Sequence, residues 1–110
     1  MPVHSPFPAR LKEARLNKGL TQLQLGVRMG MDENSASARM NQYEKAKHAP
    51  DYDTMKRMAE VLGVPVAYFF CETELDAKLT EALGMLSEDQ KKSLLAKLAV
   101  MGAPHGSGEI

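Results

Sequence analysis

The amino-acid sequence predicts an all-α protein in which five short helices precede two amphipathic ones. Apolar residues recur at spacings of three and four, the pattern of one helix face, and no alternating strand pattern occurs. Glycine, proline and N-cap residues divide the chain into short segments. A chain of 110 residues can hold one core and an appendage, but it is too short for two cores of similar depth.

The first helix is expected over residues 9–19, after a proline-rich start. It contains strong helix formers and a basic last turn, and Gly19 stands where a left-handed C-terminal cap belongs. Leu11 and Ala14 are expected to face inward, and Leu16 is a further candidate for the core.

The second and third helices are separated by a polar stretch. The second helix starts at Thr21, whose hydroxyl suits an N-cap, and Gly30 stops it after about two turns. The third is expected over residues 36–45, behind several N-cap candidates at 31–35. Its inward-facing residues follow spacings of four and three: Ala36, Met40 and Tyr43. The rest of this helix is polar.

A fourth helix and a short apolar segment complete the predicted domain. Asp51 is the expected N-cap of the fourth helix, and Gly63 ends it. Its amphipathic stripe consists of Tyr52, Met55, Met58, Ala59 and Leu62. The apolar segment at 64–70 is expected to form one or two helical turns that begin at Pro65.

The chain is thus divided into a domain at 1–71, a helical extension at 72–101 and a flexible tail at 102–110. Ser87 and Gln90 form a capping box between the two helices of the extension. Their apolar stripes are Leu75, Leu79, Ala82, Leu83 and Leu86, then Leu94, Leu95, Leu98 and Met101. Because two such helices bury little by themselves, they are expected to cover the main domain or to meet a second copy.

The net charge of zero hides an asymmetry between the two parts of the chain. Residues 1–70 carry ten Lys/Arg and seven Asp/Glu, a net charge of +3. Residues 71–110 carry four and seven, a net charge of −3. Binding to nucleic acid with so small an excess requires that the positive groups be gathered on one face.

Several classes of protein and site are disfavoured by the sequence. No apolar run approaches the ~20 residues that cross a bilayer and the start lacks a secretory-signal pattern, so a cytoplasmic protein without membrane contact is expected. The single cysteine, Cys71, is interpreted as a half-buried apolar residue. No phosphate-binding loop, nucleophile arrangement or cluster of metal ligands is found, so no enzyme, cofactor or metal is expected.

A series of short motifs between Arg10 and Phe70 follows the order of one known family. They are Gly19-Leu20-Thr21-Gln22, Leu25-Gly26, Met29-Gly30, Met40, Tyr43-Glu44, Pro50 and Leu62-Gly63-Val64. With these motifs the segment resembles the Xre/Cro-type, lambda-repressor-like DNA-binding domain. The resemblance implies a five-helix fold with a helix-turn-helix at about residues 21–45. It also implies a transcriptional regulator, in the first place a repressor, that binds a palindromic operator in double-stranded DNA as a homodimer.

Four residues of these motifs have a physical reason for their position. Gly26 is expected where the second helix touches the third, because only a minimal side chain allows so close a crossing. Gly30 supplies a left-handed turn between them. Met40 and Tyr43 fasten the third helix to the core and leave its other face free for the major groove.

The resemblance also implies roles for polar residues around the third helix. Arg15 and Glu44 are expected to form an ion pair, the alternative being two unrelated surface charges. Candidates for base contacts are Ser37, Ala38, Arg39, Asn41 and Gln42, of which Arg39 and Gln42 suit paired hydrogen bonds to guanine and adenine. Candidates for phosphate contacts are Gln22, Lys45 and Lys47. The alternative for the base-contact set is the solvated side of an ordinary surface helix.

The sequence departs from the family between Gly30 and Met40, where the chain has about four residues more. They either lengthen the turn or add one turn to the front of the third helix. They also bring Asp32 and Glu33 toward the DNA-facing side. A carboxylate there repels phosphate unless it accepts a cytosine amino group.

A second departure is the apolar pair Leu23 and Val27 on the second helix. The pair either packs under the longer turn or stays exposed and meets a partner. The zero net charge and the acidic extension favour a rival function, in which this fold is a protein-binding antitoxin or adaptor that uses its C-terminal helices, whereas the basic turn after the third helix favours DNA.

Overall fold

The part of the chain that the structure describes is helical throughout. The structure, a computed structural model, describes residues 4–102. Its elements are α1 (Phe7–Asn17), α2 (Gln22–Arg28), α3 (Glu33–Glu44), α4 (Tyr52–Leu62), a 3-10 helix (Val66–Phe70), α5 (Glu74–Gly84) and α6 (Glu88–Gly102). These described residues contain no strand, so the all-α class is confirmed.

α1 begins two residues earlier than expected and includes part of the proline-rich start. Pro6 is its N-cap residue, and Pro8 lies in the first turn, where a missing N–H costs nothing. Phe7 is buried against Phe69 of the 3-10 helix, with the ring centroids 5.1 Å apart in an edge-to-face arrangement. Leu16, in contrast, is exposed, so its assignment to the core is wrong.

The additional residues between the second and third helices belong to α3. Asp32 caps α3 by accepting a hydrogen bond from the backbone N–H of Asn34 at 2.8 Å. The helix therefore starts at Glu33, and the expected span of 36–45 is one turn too short at its front. Gly30 has a φ of +94°, in the left-handed region, and reverses the chain between α2 and α3.

Gly26 lies at the crossing of α2 and α3. A Cβ atom at this position would lie 2.6 Å from Ala36 Cβ and 3.2 Å from Met31 Sδ, so a larger side chain would force the helices apart. Met40 and Tyr43, on the same side of α3 as Ala36, are buried in the core. One face of α3 is thus fixed, and the other carries exposed residues.

The core lies among α1, α2, α3, α4 and the 3-10 helix. Its largest fully buried side chains are Phe69, Leu11, Leu25, Met40 and Met58. α4 starts after the Asp51 cap and ends at Gly63, whose φ is +72°. Tyr52, assigned to the buried stripe of this helix, is exposed because it lies in the first turn, beyond the edge of the core.

The extension contacts the domain mainly through α5. Ala77 of α5 is buried in the core, whereas α6 has no buried residue. The two helices are joined by the expected capping box, in which Ser87 N–H donates to Gln90 Oε1 (2.9 Å) and Gln90 N–H to Ser87 Oγ (3.1 Å). Of the expected tail at 102–110, Gly102 ends α6 and the remainder lies outside the described residues.

Most of the leucine stripes do not cover the domain. The exposed large apolar residues of the extension are Leu75, Leu79, Leu83, Met85, Leu95, Leu98, Val100 and Met101. Leu86 and Leu94 are half-buried. The stripes are therefore covered within the chain at Leu86 and Leu94 only in part, and most of their large side chains stay exposed. None of the helices described is long and apolar enough to span a membrane.

Candidate nucleic-acid interface

A buried ion pair fastens the end of α3 to α1. Arg15 Nε donates to Glu44 Oε2 at 2.6 Å and Arg15 Nη2 to Glu44 Oε1 at 3.1 Å. The third nitrogen, Nη1, donates to the backbone oxygen of Leu20 at 2.8 Å. The side chains are only 9% and 4% exposed, so this is a bidentate, desolvated pair and not two unrelated surface charges.

The same carboxylate connects α3 to the start of α2. Gln22 Nε2 donates to Glu44 Oε1 at 3.1 Å and to Asn41 Oδ1 at 3.3 Å. The amide group expected to reach a phosphate is thus turned toward α3, because Glu44 offers a charged acceptor closer by. Arg15, Glu44, Gln22 and Asn41 form one hydrogen-bonded chain from the core to the exposed face of α3.

The exposed face of α3 follows from its buried residues and a rotation of 100° per residue. Asn34, Ala38, Asn41 and Lys45 lie opposite the buried Ala36, Met40 and Tyr43. We call these four residues the outer stripe. Ser37 lies between the stripe and the start of α2, where it shares a shallow depression with Gln22 and Leu23.

The remaining candidates for base contacts lie on the other flank of α3. Gln42 is exposed beside the outer stripe, on the side away from the start of α2. Arg39 is further round the helix, and its Nη2 lies 3.4 Å from the hydroxyl of Tyr43. The structure therefore puts Ala38 and Asn41 at the middle of the exposed face, Ser37 and Gln42 on its two sides, and Arg39 at its edge.

A basic turn begins at Lys45, the last residue of the outer stripe. Lys45 is the C-cap residue of α3, and Ala46 adopts a left-handed φ of +61°. The backbone N–H groups of Lys47 and His48 donate to the backbone oxygen of Gln42 at 2.9 and 3.4 Å, which closes the turn. Both lysine side chains are exposed at the end of the polar face, as a contact with a phosphate backbone requires.

The front of α3 is acidic. Asp32 and Glu33 are exposed, and the carboxylate of Asp32 is bound to the first turn of the helix, where a negative charge is favourable. Leu23 and Val27 are 38% and 45% exposed, so they do not pack under the turn before α3. The exposed alternative is the correct one for this pair.

The sequence analysis missed a second buried arginine, which joins α1 to the extension. Arg10 Nη1 donates to Glu13 Oε1 (2.6 Å) and Glu74 Oε2 (3.0 Å), and its Nε donates to the backbone oxygen of Cys71 (2.8 Å). The Tyr68 hydroxyl also donates to Glu13 Oε1, at 2.7 Å. The spacing of Arg10 and Glu13 was a signal for this pair, but the long-range partners have none in the sequence.

Burial and hydrogen bonding act in opposite directions on Glu13. Burial raises the pKa of its carboxyl, and the hydrogen bonds from Tyr68 and Arg10 lower it further than burial raises it, so the net pKa lies below the ordinary value. The pKa of Tyr68 is raised, by burial and by the adjacent carboxylate. In the described part of the chain, no group of three or more His, Cys, Asp or Glu side chains is arranged to hold a metal ion.

A helix-turn-helix family model matches residues 11–69, which is more than half of the chain. The chain belongs to the Xre/Cro-type helix-turn-helix family. The lambda-repressor-like fold expected from the sequence is confirmed, and α2, the turn and α3 are its helix-turn-helix. Members of this family are DNA-binding regulators of transcription, and we assign that general function to the chain.

Three similar proteins extend the match beyond the helix-turn-helix domain. The crystal structure of the transcriptional regulator BswR has a TM-score of 0.83 and 43% identity, covering 91% of this chain and 99% of that one. The cryptic phage CTXphi transcriptional repressor RstR of Vibrio cholerae is 28% identical over 94% of this chain and 95% of its own. YonR of Bacillus subtilis strain 168, an SPbeta prophage-derived uncharacterized HTH-type regulator, is 30% identical over 81% and 89%.

Proposed function

We propose that this protein is a transcriptional repressor that binds a palindromic operator as a homodimer, with the outer stripe of α3 in the major groove. The observation that supports this most strongly is the one-sided attachment of α3. Ala36, Met40 and Tyr43 fix one face, and the opposite face is polar and exposed. A polar helix held in this way projects from the domain and suits insertion into a groove.

Base contacts are proposed for Ser37, Ala38, Asn41 and Gln42, with Arg39 at the edge. Asn41 accepts from Gln22 through its oxygen, which leaves its amino group for an acceptor on a base edge. Gln42 can form two hydrogen bonds with adenine, and the methyl group of Ala38 can contact the methyl group of thymine. Ser37 adds a hydroxyl on the side next to α2.

Phosphate contacts are proposed for Lys45, the last residue of the outer stripe, and for Lys47 in the turn after it. Gln22 takes a different role in this proposal from the one expected from the sequence. Its amide group holds Asn41 in place through the hydrogen bond at 3.3 Å, and a phosphate contact by Gln22 would require that bond to be exchanged. We therefore assign Gln22 to the positioning of Asn41.

The homodimer is proposed to form through the extension. α6 has 15 residues and none of them is buried. Isolated helices shorter than about 12–15 residues are marginal in water, and helices in proteins draw most of their stability from the packing of an apolar face, so a partner surface for α6 is favoured. A second copy would present the same apolar residues, and two α3 helices in such a dimer would enter successive major grooves about 34 Å apart.

The proposal is tested by selecting binding sites for the full chain from a pool of random duplexes. We expect a selected site with two inverted half-sites and a strong salt dependence. Each phosphate contact gives a slope of about −0.9 in log K against log salt, so 200 mM salt weakens binding about 3.5-fold per contact relative to 50 mM. Two lysines in each of two subunits give roughly 150-fold.

Two substitutions separate base contacts from phosphate contacts. We expect Gln42→Ala to relax the selected sequence at one position of each half-site, and Lys45→Ala to weaken binding to all duplexes alike. Lys56→Ala on α4 is the matched control, because it removes an exposed lysine outside both α3 and the extension that is proposed to form the dimer. Equal losses on every duplex for both Gln42→Ala and Lys45→Ala would contradict the assignment.

A protein-binding adaptor remains the second candidate. The exposed pair of Leu23 and Val27 and the acidic extension favour it. If the chain has no affinity for duplex DNA at 50 mM salt, this candidate replaces the repressor. Light scattering of the full chain and of a variant that lacks residues 72–110 tests the dimer separately. If both particles contain the same number of chains, the extension is excluded from the interface.

A further inference from the structure

We propose that Asn34, in the additional front turn of α3, is a specificity-determining residue that contacts a base beyond those reached by Ser37, Ala38, Asn41 and Gln42. The inference rests on the proposed binding of α3 in the major groove. It concerns the one segment in which this chain departs most from its family, and it gives that segment a function.

The position of Asn34 follows from the cap at Asp32. Because the Asp32 carboxylate accepts the N–H of Asn34, helical geometry begins at Glu33 and the additional residues are part of α3. Asn34 precedes Ala38 by four residues and Asn41 by seven, so the three lie in one line along the helix. The rise of 1.5 Å per residue puts Asn34 about 6 Å in front of Ala38.

The chemistry of Asn34 suits a base edge. Its hydrogen bond to Asp32 is made by the backbone, and the side chain is exposed on the outer stripe. An asparagine amide offers a donor and an acceptor side by side, which matches N7 and the amino group of adenine. Asn41, by contrast, already uses its oxygen within the protein.

The charges around Asn34 favour a base over a phosphate. Asp32 and Glu33 are both exposed at the start of α3, and carboxylates beside a phosphate backbone are repelled. Base edges in the major groove include the amino groups of adenine and cytosine, which are donors. The front turn is therefore better accommodated over the bases than along the backbone, and Asn34 lies at its centre.

The test is a comparison of the sites selected by the wild-type chain and by Asn34→Ala. We expect the variant to lose the preference at one base pair in each half-site, while preferences assigned to Gln42 persist. Its affinity for the wild-type site should fall about 5- to 150-fold for each half-site, the range for one paired contact, with affinity for unselected DNA unchanged. Asn17→Ala, at the exposed end of α1, is the matched control and should leave both unchanged.

The outcomes distinguish this inference from the proposed function. An identical selected sequence for Asn34→Ala and wild type overturns the role of Asn34 alone. An equal loss on all duplexes overturns it as well, because that result indicates a phosphate contact. If the wild-type chain selects no sequence at all, the proposed function fails first. Thermal melting shows whether Asn34→Ala is folded. Asn34→Gln, which keeps an amide group on a longer side chain, is a second variant for the same selection.

Discussion

Removal of Arg15 should destabilise the protein far more than removal of a surface cation. In Arg15→Met, the Glu44 carboxylate stays in a site where it is only 4% exposed and keeps Gln22 as its donor. The loss of one partner of a buried pair costs about 3–5 kcal/mol, because the remaining charge is desolvated and uncompensated. The backbone oxygen of Leu20 also loses its donor from Arg15.

The pairwise contribution is measured with a double-mutant cycle. Arg15→Met, Glu44→Met and the double variant are unfolded in urea at 25 °C, and the free energies of unfolding are compared. The double variant should be less destabilised than the sum of the two single variants, because no uncompensated charge remains. The matched control is Lys91→Met, whose pair with Glu88 spans 3.9 Å with side chains 46% and 84% exposed.

The two pairs should differ by an order of magnitude. Lys91→Met should change the free energy of unfolding by less than about 0.5 kcal/mol, as is usual for exposed i,i+3 pairs. If Arg15→Met costs less than about 1 kcal/mol, or if the single variants add without coupling, the pair is not the desolvated anchor described above. The positioning of Gln22 and Asn41 through Glu44 would then lose its basis.

Three further predictions concern the helix crossing, the extension and the basic turn. Gly26→Ala should lower the free energy of unfolding in urea by about 1–3 kcal/mol, because its Cβ would overlap Ala36. Gly102→Ala, in open space, should change it little, and similar losses for the two variants would contradict the close helix crossing. The lowered pKa of Glu13 means that its ionised carboxyl stabilises the fold above about pH 4.5, and this stability is lost as the pH falls. Glu13→Gln should therefore flatten the decline in Tm between pH 5 and 3, and parallel declines of the two proteins would refute this. Lys45→Ala should reduce the slope of log K against log salt by about 1 per bound subunit, and an unchanged slope would remove its phosphate contact.

Signals that lie within a few residues of each other were sufficient for most helix boundaries. The caps at Thr21, Asp51 and Ser87 each accept a backbone N–H three residues later, which depends on local sequence alone. The glycines at 30 and 63 end helices for the same local reason, a left-handed φ. The number and order of the helices could therefore be predicted.

The start of α3 could not be predicted because several residues compete for the same role. Asp32, Asn34 and Ser35 are all good N-cap residues, and the sequence gives no preference among them. The packing of Ala36 on Gly26 decides the matter, since it fixes where α3 crosses α2. Phe7 extends α1 for a similar reason, because its ring finds a buried place beside Phe69.

The polar network around the candidate site was only partly visible in the sequence. The resemblance gave Arg15 and Glu44 as a pair, but the bonds from Gln22 to Glu44 and Asn41 depend on how α2 approaches α3. The Arg10 cluster joins residues more than 50 positions apart and left no periodic signal. The leucines of the extension follow helical spacing, and that pattern is the same for a stripe that packs on the domain and one that stays exposed.

The most direct test of the major-groove role of α3 is a nuclear magnetic resonance titration of the ¹⁵N-labelled full chain with its selected duplex. The side-chain amide signals of Asn34, Asn41 and Gln42 should shift strongly, and that of Gln90 in the first turn of α6 should not. Shifts confined to the extension, with the three amides of α3 unchanged, would contradict the account.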